Sequence, residues 1–179
     1  MITLLLAMLS IAETGAAARP CIPIASDNLA PTSSAVADHQ ALRKAMGEPM
    51  PHARTMVMLH GRGGHLSTEE YSIVLARGGD GTWHGTAVGR SQIWVKDAPY
   101  SPMKRIEWAL DRNKGRELDA ALSRRCPFDR SAAGVDTSTP PPRGLISERI
   151  DVIQAGRTPV TYYATQGDGK IAALIRPPQ

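Results

Sequence analysis

The sequence predicts an α+β fold in which a mostly antiparallel sheet packs with a central helical segment. Short apolar runs joined by Gly-rich turns occur in both halves of the chain, and a longer run with helical spacing separates them. Strands and helices do not alternate regularly, so a parallel doubly wound sheet fits the sequence poorly. The length of 179 residues is that of one domain. We therefore expect an N-terminal hairpin and a C-terminal three-stranded meander around the central helical segment.

The N-terminus has the pattern of a secretory signal peptide in residues 1–18. An uncharged apolar block, residues 1–11, is followed by Ala16, Ala17 and Ala18, which is typical of a cleavage region. We expect cleavage after Ala18, a single domain over residues 19–179, and a periplasmic or secreted location. The block is shorter than the roughly 20 apolar residues that span a bilayer, so no transmembrane anchor is predicted. A buried N-terminal helix is the alternative, because no positive charge precedes the block.

The chain has two cysteines, Cys21 and Cys126. An exported chain meets an oxidising environment, where disulfides persist, and we expect these two residues to form one. A bond that closes a loop of about 100 residues contributes about 4.7 kcal/mol in the chain-entropy model. Two unrelated buried thiols are the alternative.

The first half of the chain predicts one helix and then strands. Residues 33–46 place Ala35, His39, Leu42 and Met46 at helical spacing, and Gly47 ends the helix. Residues 55–59 form a compact apolar run typical of a buried strand. Residues 71–77 and 82–88 predict a hairpin around the Gly-rich segment 78–81, continued by residues 93–95. Gly85 and Gly89 in the return strand indicate bulges or a close backbone approach.

The second half predicts a helix and then the meander. Residues 103–126 carry apolar side chains at helical steps, with either a kink or a break between two helices at Gly115. Residues 131–144, rich in Pro, Ser and Thr, predict a mobile surface loop. Three strands joined by tight turns are predicted over residues 149–154, 160–165 and 170–175.

The most suggestive motif is Val-Met-Leu-His-Gly-Arg-Gly-Gly in residues 57–64. It resembles the strand and His-Gly oxyanion turn of α/β-hydrolases, including esterases of the carboxylesterase type. The resemblance implies that backbone N–H groups in this turn stabilise a developing oxyanion. It covers eight residues, and no G-x-S-x-G string accompanies it. It makes His60, Arg62 and His65 the candidate functional loop.

The sequence contains no motif of a phosphate-binding loop or of a metal site. The segment 61–64 lacks the Gly-Lys-Ser/Thr ending of a phosphate-binding loop, and the histidines have no metal-ligand spacing. His60 and His65 flank the glycine turn, and a folded sheet could bring them close to His84. We therefore predict no metal, no cofactor and no assigned catalytic residue.

Trp83 and Trp94 both lie in the predicted hairpin region. They form either a stacking platform for sugar rings or for a partner, or part of the core. The chain has only three Trp, four Tyr and one Phe, so its core needs the aromatics that it has. We therefore favour the core interpretation for both residues.

The charge pattern limits the classes of partner. The formal net charge is +4, but no run of like charge exceeds two residues and acids are interleaved throughout. This favours a solvated surface with at most weak contact with polyanions, and no specific nucleic-acid binding. The excess of Arg over Lys and the Ala-rich composition indicate a GC-rich bacterial genome.

Two hypotheses about function follow from the sequence. The leading one is a small exported bacterial protein that acts as a non-catalytic binding or accessory module of the cell envelope. Its partner is an envelope protein or a small ligand that the sequence does not identify. The alternative is a small hydrolase that uses residues 60–64. That alternative requires His60, His65 and a carboxylate to meet in a cleft.

Overall fold

The computed structural model describes residues 32–123, 146–157, 159–163 and 169–178. Within these residues it shows an antiparallel sheet with three helices, which confirms the predicted α+β class. The predicted signal peptide, Cys21, Cys126 and the loop 131–144 lie outside the described residues, so these predictions stand as made.

The sheet is built outward from one central strand. β1 (Met56–Gly63), β2 (Ser67–Arg77) and β3 (Trp83–Ile93) form an antiparallel meander. β6 (Ile146–Ile153) pairs with the other side of β1, and β7 (Val160–Tyr163) pairs with β6. β4 (Ser101–Pro102) and β5 (Ile106–Ala109) both pair with the outer edge of β3. Strands from both halves of the chain therefore share one sheet.

Helices cover both faces of this sheet. α1 (Thr32–Ala45) confirms the first predicted helix and packs on one face. α2 (Arg112–Ser123) and α3 (Gly169–Ile175) contact each other and contribute buried residues to the core of the other face. Asp111 caps α2, since its carboxylate accepts hydrogen bonds of 2.9 Å from the backbone N–H groups of Asn113 and Lys114.

The two faces of the sheet differ in the polarity of the side chains that they bury. The face under α2 and α3 carries the main apolar core, to which the sheet contributes Val57, Leu59, Ile73, Leu75, Ile150 and Val152. The face under α1 has a small apolar cluster of Met56, Met58 and Val74. All the buried polar side chains of the described residues belong to the α1 layer: His39, Arg43, His60, Glu70, Ser72 and Asp151.

The prediction of one helical segment over residues 103–126 is wrong in its first half. Residues 101–102 and 106–109 are strands, and the helix begins only at Arg112. The apolar spacing of this segment fits a helix and also a strand. The strand forms because the open edge of β3 provides backbone partners for β5, from Ala87 opposite Ile106 to His84 opposite Ala109. Gly115 lies in the first turn of α2 and neither kinks nor ends a helix.

The predicted strand over residues 170–175 is also wrong, because this segment is α3. Its buried residues are Ile171, Ala172, Leu174 and Ile175. Their spacing of one, three and four residues matches one face of a helix and not the alternation of a strand. The predicted three-stranded meander is therefore the pair β6 and β7 followed by a helix.

Glycines in the sheet sit beneath large side chains. A Cβ on Gly85 would lie 2.2 Å from the Trp108 ring, and a Cβ on Gly61 would lie 2.2 Å from the Tyr71 ring. A Cβ on Gly89 would lie 2.8 Å from the Met103 sulfur. The pairing of β2 with β3 runs without a bulge, so close approach is the reason for Gly85 and Gly89.

Candidate functional site

The residues of the predicted functional loop do not lie on a loop together. His60 is in β1 and buried beneath α1, Arg62 is exposed near the end of β1, and His65 is exposed in the turn before β2. Among the described carboxylates, Glu70 is the nearest to His60, with 3.5 Å between Nε2 and Oε1. His60 and His65 thus lie in different environments, and the structure does not bring them together around a carboxylate.

The glycines after His60 serve the turn between two strands. Gly63 and Gly64 have φ values of 155° and 134°, and a Cβ on Gly64 would lie 1.9 Å from the Ser67 carbonyl oxygen. Only glycine allows the chain to reverse this tightly into β2. His84 is exposed on β3. In the part of the chain that the structure describes, no three His, Cys, Asp or Glu residues gather where they could hold a metal ion.

Sequence reasoning missed a hydrogen-bonded chain of serine, histidine and aspartate beneath α1. His39 Nδ1 lies 2.7 Å from Ser72 Oγ, and its Nε2 lies 3.3 Å from Asp151 Oδ2. A carboxylate only accepts hydrogen bonds, so Nε2–H donates to Asp151 when the histidine is neutral. Nδ1 then accepts a hydrogen bond from the Ser72 hydroxyl.

This chain has the residue types of a hydrolytic triad but not its accessibility. Ser72 and His39 are 0% exposed, and Asp151 is 1% exposed. The helix that covers Ser72 is also the helix that carries His39. Displacing α1 to admit a substrate would remove the general base, so the arrangement works as a link between α1, β2 and β6.

Charged neighbours extend this link into a network across the α1 face. Asp151 accepts a hydrogen bond of 3.1 Å from Arg149 Nε, and Arg149 Nη1 also reaches Asp38 at 3.2 Å. Arg43 donates to Thr86 Oγ1 at 2.8 Å, which ties α1 to β3. The network therefore fixes the position of α1 through polar contacts on several strands.

Two imidazoles meet within this network. The rings of His39 and His60 are 5.5 Å apart and nearly perpendicular, at 77°. Burial lowers the pKa of both histidines, and the neighbouring positive charges act in the same direction on each. Both are therefore held neutral at pH 7.

An open cleft lies on the opposite face of the sheet, beside β3 and β5. Its volume is 330 Å³. Its apolar lining is Tyr71, Ile73, Ala87, Met103, Ile106 and Pro177, and Glu69, Lys104 and Arg176 are its charged residues. Such a cleft, mostly apolar with few polar groups, is typical of small-molecule sites.

The interruption between β4 and β5 creates this cleft. β4 pairs with Arg90 and Ser91, β5 pairs with residues 84–87, and residues 104–105 between them have no register partner on β3. Met103 N donates to the Gly89 carbonyl at 2.8 Å. Because Gly89 has no side chain, Met103 lies against the strand and forms a wall of the cleft.

A hydrogen-bonded cluster stands at one end of the cleft. The Tyr71 hydroxyl donates to Glu148 Oε1, and Arg176 Nη2 donates to the same oxygen. Burial and the Glu148 carboxylate raise the pKa of Tyr71 above its ordinary value. The phenol therefore remains protonated and holds Glu148 in place. The other cleft cation, Lys104, is exposed and makes no ion pair with any described residue.

A second depression of 530 Å³ lies at the C-terminal end of α1, lined by residues 40–52. Its walls come from one local segment, whose Gln40, Lys44 and Gly47 are exposed. The cleft beside β3, in contrast, draws on strands and on the C-terminal segment and has buried core residues in its floor. We therefore regard the cleft as the better ligand site.

The two tryptophans of the hairpin region differ in their exposure to solvent. Trp83 is 1% exposed and its indole N–H donates to Asp119 at 3.1 Å, as the core interpretation expects. Trp94 is 66% exposed, so the core interpretation is wrong for this residue. It follows the end of β3 and lies in a turn, where no helix or strand among the described residues covers it.

Comparison with known proteins adds no relative to this picture. No protein-family model, no curated protein and no solved structure matches the chain. Among the helices of the described residues, none has the length and apolar character needed to cross a membrane.

Proposed function

We propose that this chain is an exported, non-catalytic binding module of the cell envelope, and that its ligand is a small amphipathic molecule held in the cleft. The observation that carries the proposal is the 330 Å³ cleft, with apolar walls and few charged residues. Ligand sites of small molecules have volumes of about 300–1,000 Å³ and a similar balance of apolar and polar lining.

The lining indicates how such a ligand would lie. An apolar body fits between Ile73, Ala87 and Ile106, where contact removes apolar surface from water. A polar or anionic group at the mouth would meet Lys104, whose ammonium group is free of ion pairs within the described residues. The cleft therefore favours a short acyl chain or an aromatic compound with an acidic group.

The test is a fluorescence titration of the mature chain with dansylaminoundecanoic acid, an anionic amphiphile. We expect saturable binding in one-to-one stoichiometry. Ile106→Asp places a carboxylate on the cleft wall and should weaken this binding at least about tenfold, since bound ligand would desolvate the new charge and the charge would repel the anionic probe. Ala120→Asp is the matched control, because Ala120 is exposed on α2 and outside the cleft lining. Equal binding by both variants would disprove the cleft as the site.

Export is tested separately by intact mass measurement on an envelope or secreted fraction. A mass that begins at Arg19, with two alkylated thiols only after reduction, would support export and the Cys21–Cys126 bond. A full-length mass with free thiols would overturn both proposals. Neither outcome depends on what the cleft binds.

The hydrolase alternative has less support, because His60 is buried and Ser72 is covered by the helix that carries its histidine. The two hypotheses make opposite predictions for hydrolysis of p-nitrophenyl acetate. A non-catalytic module should hydrolyse it only at the level of free imidazole in solution, and neither His60→Gln nor Ser72→Ala should change that rate. Saturable turnover that either substitution abolishes would restore the hydrolase hypothesis.

A further inference from the structure

The end of the sheet near the β1–β2 turn carries a cluster of large exposed apolar side chains. Leu66 is 79% exposed, Ile93 59%, Trp94 66% and Val95 62%. We call these four residues the apolar tip. A single exposed apolar residue is ordinary, whereas a group of them at one place marks a surface that contacts something other than water.

The apolar tip is held in this exposed arrangement by hydrogen bonds. Trp94 N donates to the Leu66 carbonyl at 3.2 Å, and the indole N–H donates to Thr68 Oγ1 at 2.8 Å. Val95 N and Ala98 N close the following turn on the Ile93 and Val95 carbonyls. The indole N–H is thus satisfied within the protein, and the apolar part of the ring remains available for an apolar medium.

We propose that the apolar tip inserts into the interfacial layer of an anionic lipid membrane. Leu66 lies in the turn between β1 and β2, and Trp94 and Val95 lie in the turn that follows Ile93 at the end of β3. These four are more exposed than any other large apolar side chain of the described residues. An exposed indole flanked by aliphatic side chains suits shallow insertion, because Trp is enriched at the membrane–water interface.

The charges around the tip complement an anionic surface. Lys96 and Asp97 directly follow the tip in the chain, and Arg62 is exposed near the end of β1; none of the three has an ion pair with another described residue. The next charges along the sheet, Glu69 and Lys104, line the cleft and cancel each other. The balance is positive, as is the whole chain at +4. Basic residues at the surface of a membrane with anionic lipids each strengthen binding, so the surroundings of the tip favour such a membrane over a neutral one.

The tip and the cleft share one side of the sheet. Ile93 lies on the same face of β3 as Gly89 and Ala87, because side chains alternate along a strand. Four residues separate Ile93 from Gly89, which is about 13 Å along a strand. Insertion of the tip would therefore bring the mouth of the cleft to the headgroup layer. The membrane proposal does not depend on the nature of the cleft ligand.

The experiment is flotation of the mature chain with vesicles of phosphatidylcholine alone and of phosphatidylcholine mixed equally with phosphatidylglycerol. We expect binding to be at least about tenfold stronger on the anionic vesicles and to weaken at high salt. Val95→Asp should reduce it about tenfold or more. Ala120→Asp carries the same charge change on exposed α2 and should bind vesicles like the unaltered chain.

Tryptophan fluorescence reports which residue inserts. Trp83 is buried and Trp108 partly buried, so Trp94 dominates any change caused by solvent. We expect a blue shift on anionic vesicles in the unaltered chain, and its loss in Trp94→Phe, which should still float. Circular dichroism melting curves confirm that each variant is folded.

Three results would overturn the proposal. One is equal flotation of the Val95→Asp variant and the unaltered chain. Another is a loss in Ile106→Asp as large as that in Val95→Asp, which would assign vesicle binding to the cleft. The third is concentration-dependent dimerisation in sedimentation that Val95→Asp abolishes without any vesicle binding, which would assign the tip to a second copy of the chain.

Discussion

The two faces of the sheet bury opposite kinds of side chain, apolar on one face and hydrogen-bonded polar on the other. The face under α2 and α3 is filled with aliphatic side chains and Trp83, and it opens at one edge into the cleft. The face under α1 buries His39, Ser72 and Asp151 in one hydrogen-bonded chain. Both faces use the same strands, since alternate residues of β1, β2 and β6 point to opposite sides.

The difference shows which contacts fix each helix. Apolar packing is non-directional, so the α2 and α3 side tolerates an open cleft at its edge. Hydrogen bonds are directional, and a buried polar group without a partner is costly. The position of α1 is therefore the more closely specified, because displacing it would leave several buried polar groups unpaired.

The largest effect is expected on the polar face, from Asp151→Ala. The substitution removes the acceptor of both His39 and Arg149 within a buried site. Breaking such a buried charge network costs about 3–5 kcal/mol, to be measured as the free energy of urea unfolding. Asp151→Asn keeps the size and one acceptor and should lose less. A loss below that of an exposed substitution would contradict a structural role for the network.

On the apolar face, Leu59→Ala should lower the free energy of unfolding by about 2–5 kcal/mol, because it leaves a cavity in a fully buried site. Leu66→Ala is the matched control, since Leu66 is 79% exposed. The control should change stability by less than about 0.5 kcal/mol. If both variants unfold at the same denaturant concentration, the assignment of the core to this face is wrong.

A smaller effect is expected from Ser72→Ala, which tests the contribution of a hydrogen bond and changes the side-chain volume little. Ser72→Ala removes a hydroxyl and leaves His39 Nδ1 without its donor, which should cost about 1–3 kcal/mol. Ser67→Ala, in the same strand at a partly exposed position, is the control. A neutral result for Ser72→Ala in chemical unfolding would show that the link between α1 and β2 contributes nothing.

The pH dependence should be the mildest effect. Burial puts the folded-state pKa of His39 and of His60 below the ordinary value of 6.5. Near and below pH 6.5 the unfolded chain therefore binds more protons than the folded chain, so stability falls as the pH drops from about 6.5 toward the folded-state pKa values, and the loss is complete below them. Unfolding at pH 7 and pH 5 should show this loss, and His60→Gln should reduce it. Stability that rises on acidification over this interval would refute the neutral assignment.

The sequence allowed much of the first half of the fold to be predicted. The helix that became α1, the hairpin of β2 and β3, and the Gly-rich turn between them each depend on local spacing and turn chemistry. The wrong predictions concern segments whose apolar spacing fits both a helix and a strand. Ile106 and Trp108 form a strand because the edge of β3 is free to pair with them, and residues 170–175 form a helix because their buried face packs on the core.

The candidate sites depended on contacts between distant segments. The helical spacing puts His39 in one row with Ala35, Leu42 and Met46, but its partners Ser72 and Asp151 are 33 and 112 residues away. A polar residue within an alternating strand was the available signal for both partners, and it did not show which side the helix would cover. The cleft had no sequence signal, because it arises where β4 and β5 leave a gap beside Gly89.

The sequence by itself determined the α+β class, α1, the β2–β3 hairpin and the tight glycine turns, because these follow from periodicity and from the conformations that each residue allows. Only the tertiary structure decided that β1 joins both halves of the chain, that His60 is buried, and that Trp94 is exposed. The physical reason is that these features depend on which free strand edge and which sheet face a distant segment occupies. Such long-range choices are settled by the total burial and hydrogen bonding of the assembled fold, which no local pattern contains.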